Sequence, residues 1–300
     1  MVFYVKIRKK KGGIFIRFLT KTAIILISII LLGAFITLFQ GGIDLSLSTY
    51  WSSLKGLVVS LVQPGSIMYS TGDYNTGSQY PLFPYVFEFY GYSLSVLFLG
   101  FILALIIAVS LIMITFQLSV KKRTALMKLS TILEAVPDLF VIAMAQLFII
   151  FIFKQTGILF FDVVGAYERP FVLPLITYTI LPTIFLYRTL TLLFDEELRK
   201  PYVELARGKG LTHFRVLFVH VFRNGLMGLL SHSKMILAFM LSNLIMLEII
   251  FNTRGITWFV YHHPTPEIAT VSILLLALPI LLFEQGMNKL KSSIVGGGER

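Results

Sequence analysis

At 300 residues, 56% hydrophobic and 14% charged, with a mean hydropathy of +0.84, the chain carries more apolar side chain than a soluble domain of this length can hide, so part of its solvent is lipid. The absence of cysteine excludes disulfides, thiolate metal sites and cysteine nucleophiles. A net charge of +11 would point a soluble protein toward nucleic acid. Here the first question is where the charges fall.

The opening residues 1–22 are basic, with Lys6, Arg8 to Lys11, Arg17 and Lys21. They lead into the apolar run Ala23–Phe39. That run exceeds a signal-peptide core, and the "QGGIDLS" after it has no small-x-small cleavage pattern, so it reads as an uncleaved first span. Residues 40–90 follow as an expected extracytoplasmic loop segment, the longest stretch outside the apolar runs. Its "PGSIMYSTGDYNTGSQYPLFPY" is rich in Gly, Ser, Tyr and Pro and is predicted to be loop and turn. Trp51 and the tyrosines suit a headgroup-level belt.

Five further runs of membrane length follow, Tyr92–Phe116, Thr131–Phe153, Phe171–Phe194, Leu226–Ile250 and Ile268–Phe283. All are continuous rather than alternating, which predicts helices, and helices satisfy their own backbone in lipid. The expected fold is an all-α integral membrane protein with six transmembrane helices. Residues 91–288 would form a five-helix transmembrane domain and 289–300 a tail.

The basic residues sort by side. The N-terminus, the Lys121–Lys128 loop, the Arg188–Arg223 region and the C-terminal Lys289, Lys291 and Arg300 fall together. The opposite side holds Lys55, Lys154, Arg169 and Arg254. This bias puts both termini in the cytoplasm. The +11 charge is thus a signature of topology, and no nucleic-acid partner is implied.

Between spans four and five lies "YVELARGKGLTHFRVLFVHVFRNG". Leu198, Tyr202 and Leu205 recur at helical spacing, as do Phe214, Leu217, Phe218, Val221 and Phe222, predicting two short amphipathic helices. Pro201 is tolerated in a first turn. Gly208 and Gly210 between the patterns allow a sharp bend or a left-handed cap. On spacing alone this could be a basic hairpin resting on anionic lipid.

The wording of the loop is more specific. It resembles the cytoplasmic loop of binding-protein-dependent ABC importer permeases of the type-1 fold, in which Glu-Ala-Ala is followed after three residues by Gly. Glu204, Leu205 and Ala206 precede Gly210 at that spacing. Within that family it is similar to the oligopeptide, dipeptide and nickel permeases through Tyr202, Val203, Ala206, Arg207, Lys209, Gly210 and Leu211, with Arg223-Asn224 closing the second helix. Glu248, Ile250, Phe251, Gly255 and Ile256 match a second signature at the outer end of span five. Departures are Leu205 for alanine, Gly208 for alanine, Gly228 for proline, Ser242 and Asn243 for glycine, and the ionisable His232 and Lys234.

The resemblance implies a permease of a bacterial cell membrane. Its loop of Glu204, Ala206, Arg207, Gly208, Gly210 and Leu211 would dock on ABC ATPase subunits. It further implies a second permease, unlike this one, and an extracytoplasmic binding protein, with a peptide or similar small solute as cargo. The chain has no G-x-x-x-x-G-K-[S/T] phosphate loop. It is therefore read as a transporter subunit, not an enzyme, with no cofactor of its own and with ATP and magnesium on the partner ATPase.

Ionisable residues in spans are costly and invite a functional question. Glu134 and Asp138 are spaced i, i+4 around Pro137, with Gln146 two turns on; Asn243 and Glu248 lie in span five. Each could line or gate a path. The plainer readings are a helix end reaching water for Glu134 and Asp138, an interhelical bond for Gln146, and snorkelling for Lys234. A proton-coupled secondary transporter using Glu134, Asp138 or Glu248 is the alternative function. His262 and His263 form an exposed pair without a carboxylate cluster, and no metal site is expected.

Overall fold

A computed structural model describes residues 2–39, 46–71, 78–166 and 168–296. Its contacts divide the chain into two units, Met1–Gly91 with Gly255–Lys289, and Tyr92–Arg254 with Leu290–Arg300.

The first unit contains α1 (Val2–Ile36), α2 (Leu47–Val62), the strands β1 (Met68–Thr71) and β2 (Ser78–Pro81), α10 (Ile256–His262) and most of α11 (Pro266–Gly296). Residues 46–62 correct the loop expectation, because they form a helix packed on α1. The Ser46 side chain caps it by accepting from the Thr49 amide. Leu47, Trp51, Leu54, Val58 and Leu61 recur along it at helical spacing, a stripe the sequence reading passed over. After it, β1 and β2 pair antiparallel with Tyr69 opposite Tyr80. Tyr69 stacks on Tyr85 at 5.3 Å and meets Phe259 and His263 edge-on. The two histidines are not equivalent. His262 is exposed and stacks on Trp258 at 3.8 Å. Burial, then the neighbouring His262, holds His263 below the usual imidazole range, with a hydrogen bond to the Ser70 backbone opposing the shift.

The second unit holds α3 from Tyr92 onward (the helix spans Val86–Thr115), α4 (Val120–Glu134), α5 (Asp138–Thr156), α6 (Val172–Leu198), α7 (Pro201–Gly208), the short α8 (His213–Arg215) and α9 (Phe222–Phe251). Its centre is α6, which packs on α4, α5 and α9. Leu186, Leu190 and Phe194 of α6 are fully buried. Polar residues survive in this span because Thr177, Thr179, Thr183 and Thr191 each donate to the carbonyl four residues back, at 2.6–2.8 Å.

Among the described residues, six helices hold stretches long and apolar enough to cross a membrane: Phe18–Phe39, Val86–Thr115, Asp138–Thr156, Val172–Leu198, His232–Phe251 and Pro266–Lys289. Several boundaries differ from the sequence reading: span two starts at Val86 rather than Tyr92, span four runs on to Leu198, and span three is displaced. Span three starts at Asp138 rather than Thr131, because Pro137 lacks an amide donor and pushes Val136 out of helical geometry. Glu134 and Asp138 therefore end one helix and begin the next, and do not share a face. Span five belongs to the continuous helix α9 (Phe222–Phe251), which contains the whole predicted run Leu226–Ile250 with His232 and Lys234 inside it. His232 Nδ1 is 2.9 Å from the Gly228 carbonyl. The side chain of Ser231 lies outside the described residues.

Candidate functional site

The segment after α6 starts with Pro201 in the first turn of α7, where a missing amide costs nothing. Val203 and Ala206 are buried, whereas Glu204, Leu205, Arg207 and Gly208 are exposed. The eight-residue helix thus presents one side outward. Leu205 is 62% exposed, a large apolar side chain where a solvated helix would place a polar one.

The C-terminus of α7 is closed by a double turn. The Leu211 amide donates to the Ala206 carbonyl at 3.3 Å, and the Gly210 amide to the Arg207 carbonyl at 2.9 Å. This is a Schellman cap, with Gly210 as its left-handed residue at φ +77°. Gly210 thus makes the bend. Gly208 stays helical and is free of that demand.

Beyond the turn, Thr212 caps α8 by accepting from the Arg215 amide. His213 Nε2 lies 3.1 Å from the Phe116 carbonyl, tying the turn to the end of α3. The second predicted helix is not a separate hairpin arm. α8 runs into a π-helical stretch, Val216–Val221, and then into α9 without a break. Val216, Leu217 and Val221 are buried, while Phe214 and Phe218 stack 4.1 Å apart on the exposed side.

Polar contacts bind this segment to its surroundings. Glu197, in the last turn of α6, pairs with Lys200. The Tyr202 hydroxyl donates to Glu197 Oε2 at 2.5 Å and accepts from Asn224 Nδ2 at 3.0 Å. Burial, then the hydrogen bond to the Glu197 carboxylate, pushes the Tyr202 phenol up to about 12. Arg123 of α4 pairs with Asp195 at 3.3 Å and lies over the Phe116 ring.

The path candidates part company. Glu134 pairs with Arg188 of α6. Gln146 Nε2 donates to the Val163 carbonyl at 2.9 Å, so its amide holds a loop. Glu248 is fully buried and accepts from Ser93 Oγ at 2.5 Å. Asp138 and Asn243 line one recess of about 20 Å³ with Thr177, Tyr178 and Pro182, room for a water molecule.

The Glu248–Gly255 signature builds a clasp. α9 ends at Asn252, left-handed at φ 51°, whose side chain donates to the Gly165 carbonyl at 2.6 Å. The Gly165 amide donates to the Phe251 carbonyl at 2.8 Å, and Arg254 donates to the Ala166 carbonyl. A Cβ on Gly165 would sit 2.2 Å from the Asn252 carbonyl oxygen. Gly165→Ala is therefore expected to open the clasp and cost about 1–3 kcal/mol, read as a lower thermal unfolding midpoint in detergent. Sequence reasoning did not single out Gly165, Ser93, Tyr202 as a hydrogen-bonding group, or Asn224 as its partner.

Six membrane-length apolar helices and polar residues buried within them define a multi-pass membrane protein. The family described as binding-protein-dependent transport system inner membrane component matches residues 100–284, and the chain belongs to it. It is similar to the dipeptide transport system permease protein of Haemophilus influenzae, 31% identical over 109 residues, 34% of this chain and 33% of that protein. It is also similar to the di/tripeptide transport system permease protein of Pseudomonas aeruginosa, 35% identical over 88 residues, 29% of this chain and 26% of that one. Both matches span a third or less of those relatives' length. A solved structure of the inward-facing MetNI methionine ABC transporter shares the fold, with TM-score 0.50 and 16% identity over 70% of this chain and 94% of that chain.

Proposed function

We propose that this chain is one permease subunit of an ATP-driven importer of short peptides or similar solutes. It would line the translocation path with a second, unlike permease and receive its cargo from an extracytoplasmic binding protein. The membrane would be a bacterial plasma membrane, with both termini and α7 on the cytoplasmic side, as the clustering of Lys and Arg favours. ATP hydrolysis would belong to separate ATPase subunits.

The observation that carries this reading is α7, an exposed helix between two spans in a chain of a binding-protein-dependent permease family. Glu204, Arg207 and Gly208 face outward, Ala206 anchors the helix, and Gly210 and Leu211 form the turn that sets its angle. Peptide cargo rests on the partial matches to the two peptide permeases. Asp138 and Asn243 are the residues we assign to the path, since they share a recess. Glu134, Gln146 and Glu248 are assigned structural bonds instead, so Asp138 is the carboxylate on which the proton-coupled alternative would have to rest.

The test uses the chain's lack of cysteine. A Cβ at Gly208 meets nothing within 4 Å, so Gly208→Cys places a crosslinking handle on the exposed face. Crosslinked in native membranes, it is expected to capture an ATPase subunit with a phosphate-binding loop. Peptide uptake should then stop on nucleotide depletion and persist with a protonophore. Capture of lipid alone by correctly inserted protein would make α7 a surface anchor and end this reading.

A further inference from the structure

We infer that Tyr202 is a positioning residue that makes the α7 segment a rigid lever, because its hydroxyl joins the end of α6 to the beginning of α9 across the loop. The inference rests on the proposed role of α7 and adds how movement there would reach the two membrane helices.

Three elements meet at one oxygen. Glu197 belongs to the last turn of α6, Tyr202 to α7 and Asn224 to the first turn of α9. The phenol donates to Glu197 and accepts from Asn224. Lys200 holds the same carboxylate through its other oxygen. A hydroxyl can give and receive at once through a single atom. Its raised pKa keeps the proton in place throughout the physiological range, so the bracket does not open with pH.

The loop needs such a strut. The apolar grip of α7 is limited to two fully buried side chains, Val203 and Ala206. The covalent route from α7 to α9 runs through the Gly210 turn, α8 and the six-residue π stretch. A π-helix is rare and interrupts the regular α ladder, so a push on α7 that travelled only along the chain would have to pass through this irregular stretch. Asn224 lies just past that stretch. The Asn224–Tyr202 bond therefore bypasses the irregular segment and delivers displacement of α7 directly to α9, while Glu197 delivers it to α6.

The experiment uses the complete importer, with both permeases, the ATPases and the binding protein, in proteoliposomes supplied with ATP and trialanine. Tyr202→Phe is made with and without Gly208→Cys. Phenylalanine keeps the ring and removes both hydrogen bonds, one of them to a charged acceptor. The expected result is a fall in trialanine uptake of about tenfold or more, with crosslinking to the ATPase within about twofold of the parent. ATP hydrolysis should continue, no longer stimulated by loaded binding protein. Glu197→Gln, which keeps an acceptor oxygen, should retain more uptake than Glu197→Ala. Normal uptake by Tyr202→Phe would overturn the inference. So would loss of crosslinking in parallel with uptake, since the bracket would then only hold the fold of the loop. If the parent itself captures no ATPase, the proposed function falls and the inference with it.

Discussion

Replacing Gly210 by proline is expected to abolish uptake while leaving the protein inserted in the membrane. Gly210 sits at φ +77°, and proline is locked near −65°. Proline also lacks the amide that donates to Arg207 in the cap. The Schellman turn cannot form, and the penalty is about 3 kcal/mol or more at the turn itself. Nothing packs where a Cβ would lie, so the damage stays local and the spans are untouched. The neighbouring Gly208 gives the contrast. It is helical, so Gly208→Ala is expected to stabilise α7 slightly, by up to about 1 kcal/mol, and leave uptake intact. Uptake assays beside a membrane-fraction immunoblot check both. Normal uptake by Gly210→Pro would show that the angle set by this turn does not matter to function.

The second large effect is expected at Glu248. Its side chain is fully buried and takes a hydrogen bond from Ser93 of α3. Glu248→Ala removes a buried acceptor, leaves that hydroxyl without it and opens a cavity, at a cost of about 3–5 kcal/mol. Ser93→Ala takes away one donor and costs about 1–3 kcal/mol. Glu248→Gln keeps an acceptor oxygen in place and costs least. Thermal unfolding of the purified protein in detergent gives the order directly. A proton-carrying role predicts something else, namely that Glu248→Gln keeps stability and loses uptake. Preserved uptake in that variant separates the two readings.

The parts of this protein that were legible in its sequence are those fixed by local pattern. Continuous apolar runs announced six spans, and the largest boundary shift came from a single residue. Pro137 broke what looked like one helix, because a ring at one position outweighs the hydropathy averaged over twenty. Gly210 was legible as a bend because left-handed backbone leaves few residues to choose from. The α2 helix was legible in the spacing of Leu47, Trp51, Leu54, Val58 and Leu61 but was passed over, because the Gly-, Ser- and Tyr-rich stretch after it read as loop.

The sequence by itself determined the solvent, the number and type of the spans, the basic loop and its capped helix. Each of these follows from composition or from neighbours within a few residues. Only the tertiary structure decided which polar groups meet. Glu248 finds Ser93 across 155 positions, Arg188 finds Glu134 across 54, and Asn224 reaches Tyr202 across 22. In a lipid-solvated chain every buried polar atom needs a partner, but many partners satisfy that need equally well. The choice among them is made by how the helices pack, and a one-dimensional pattern carries no trace of it.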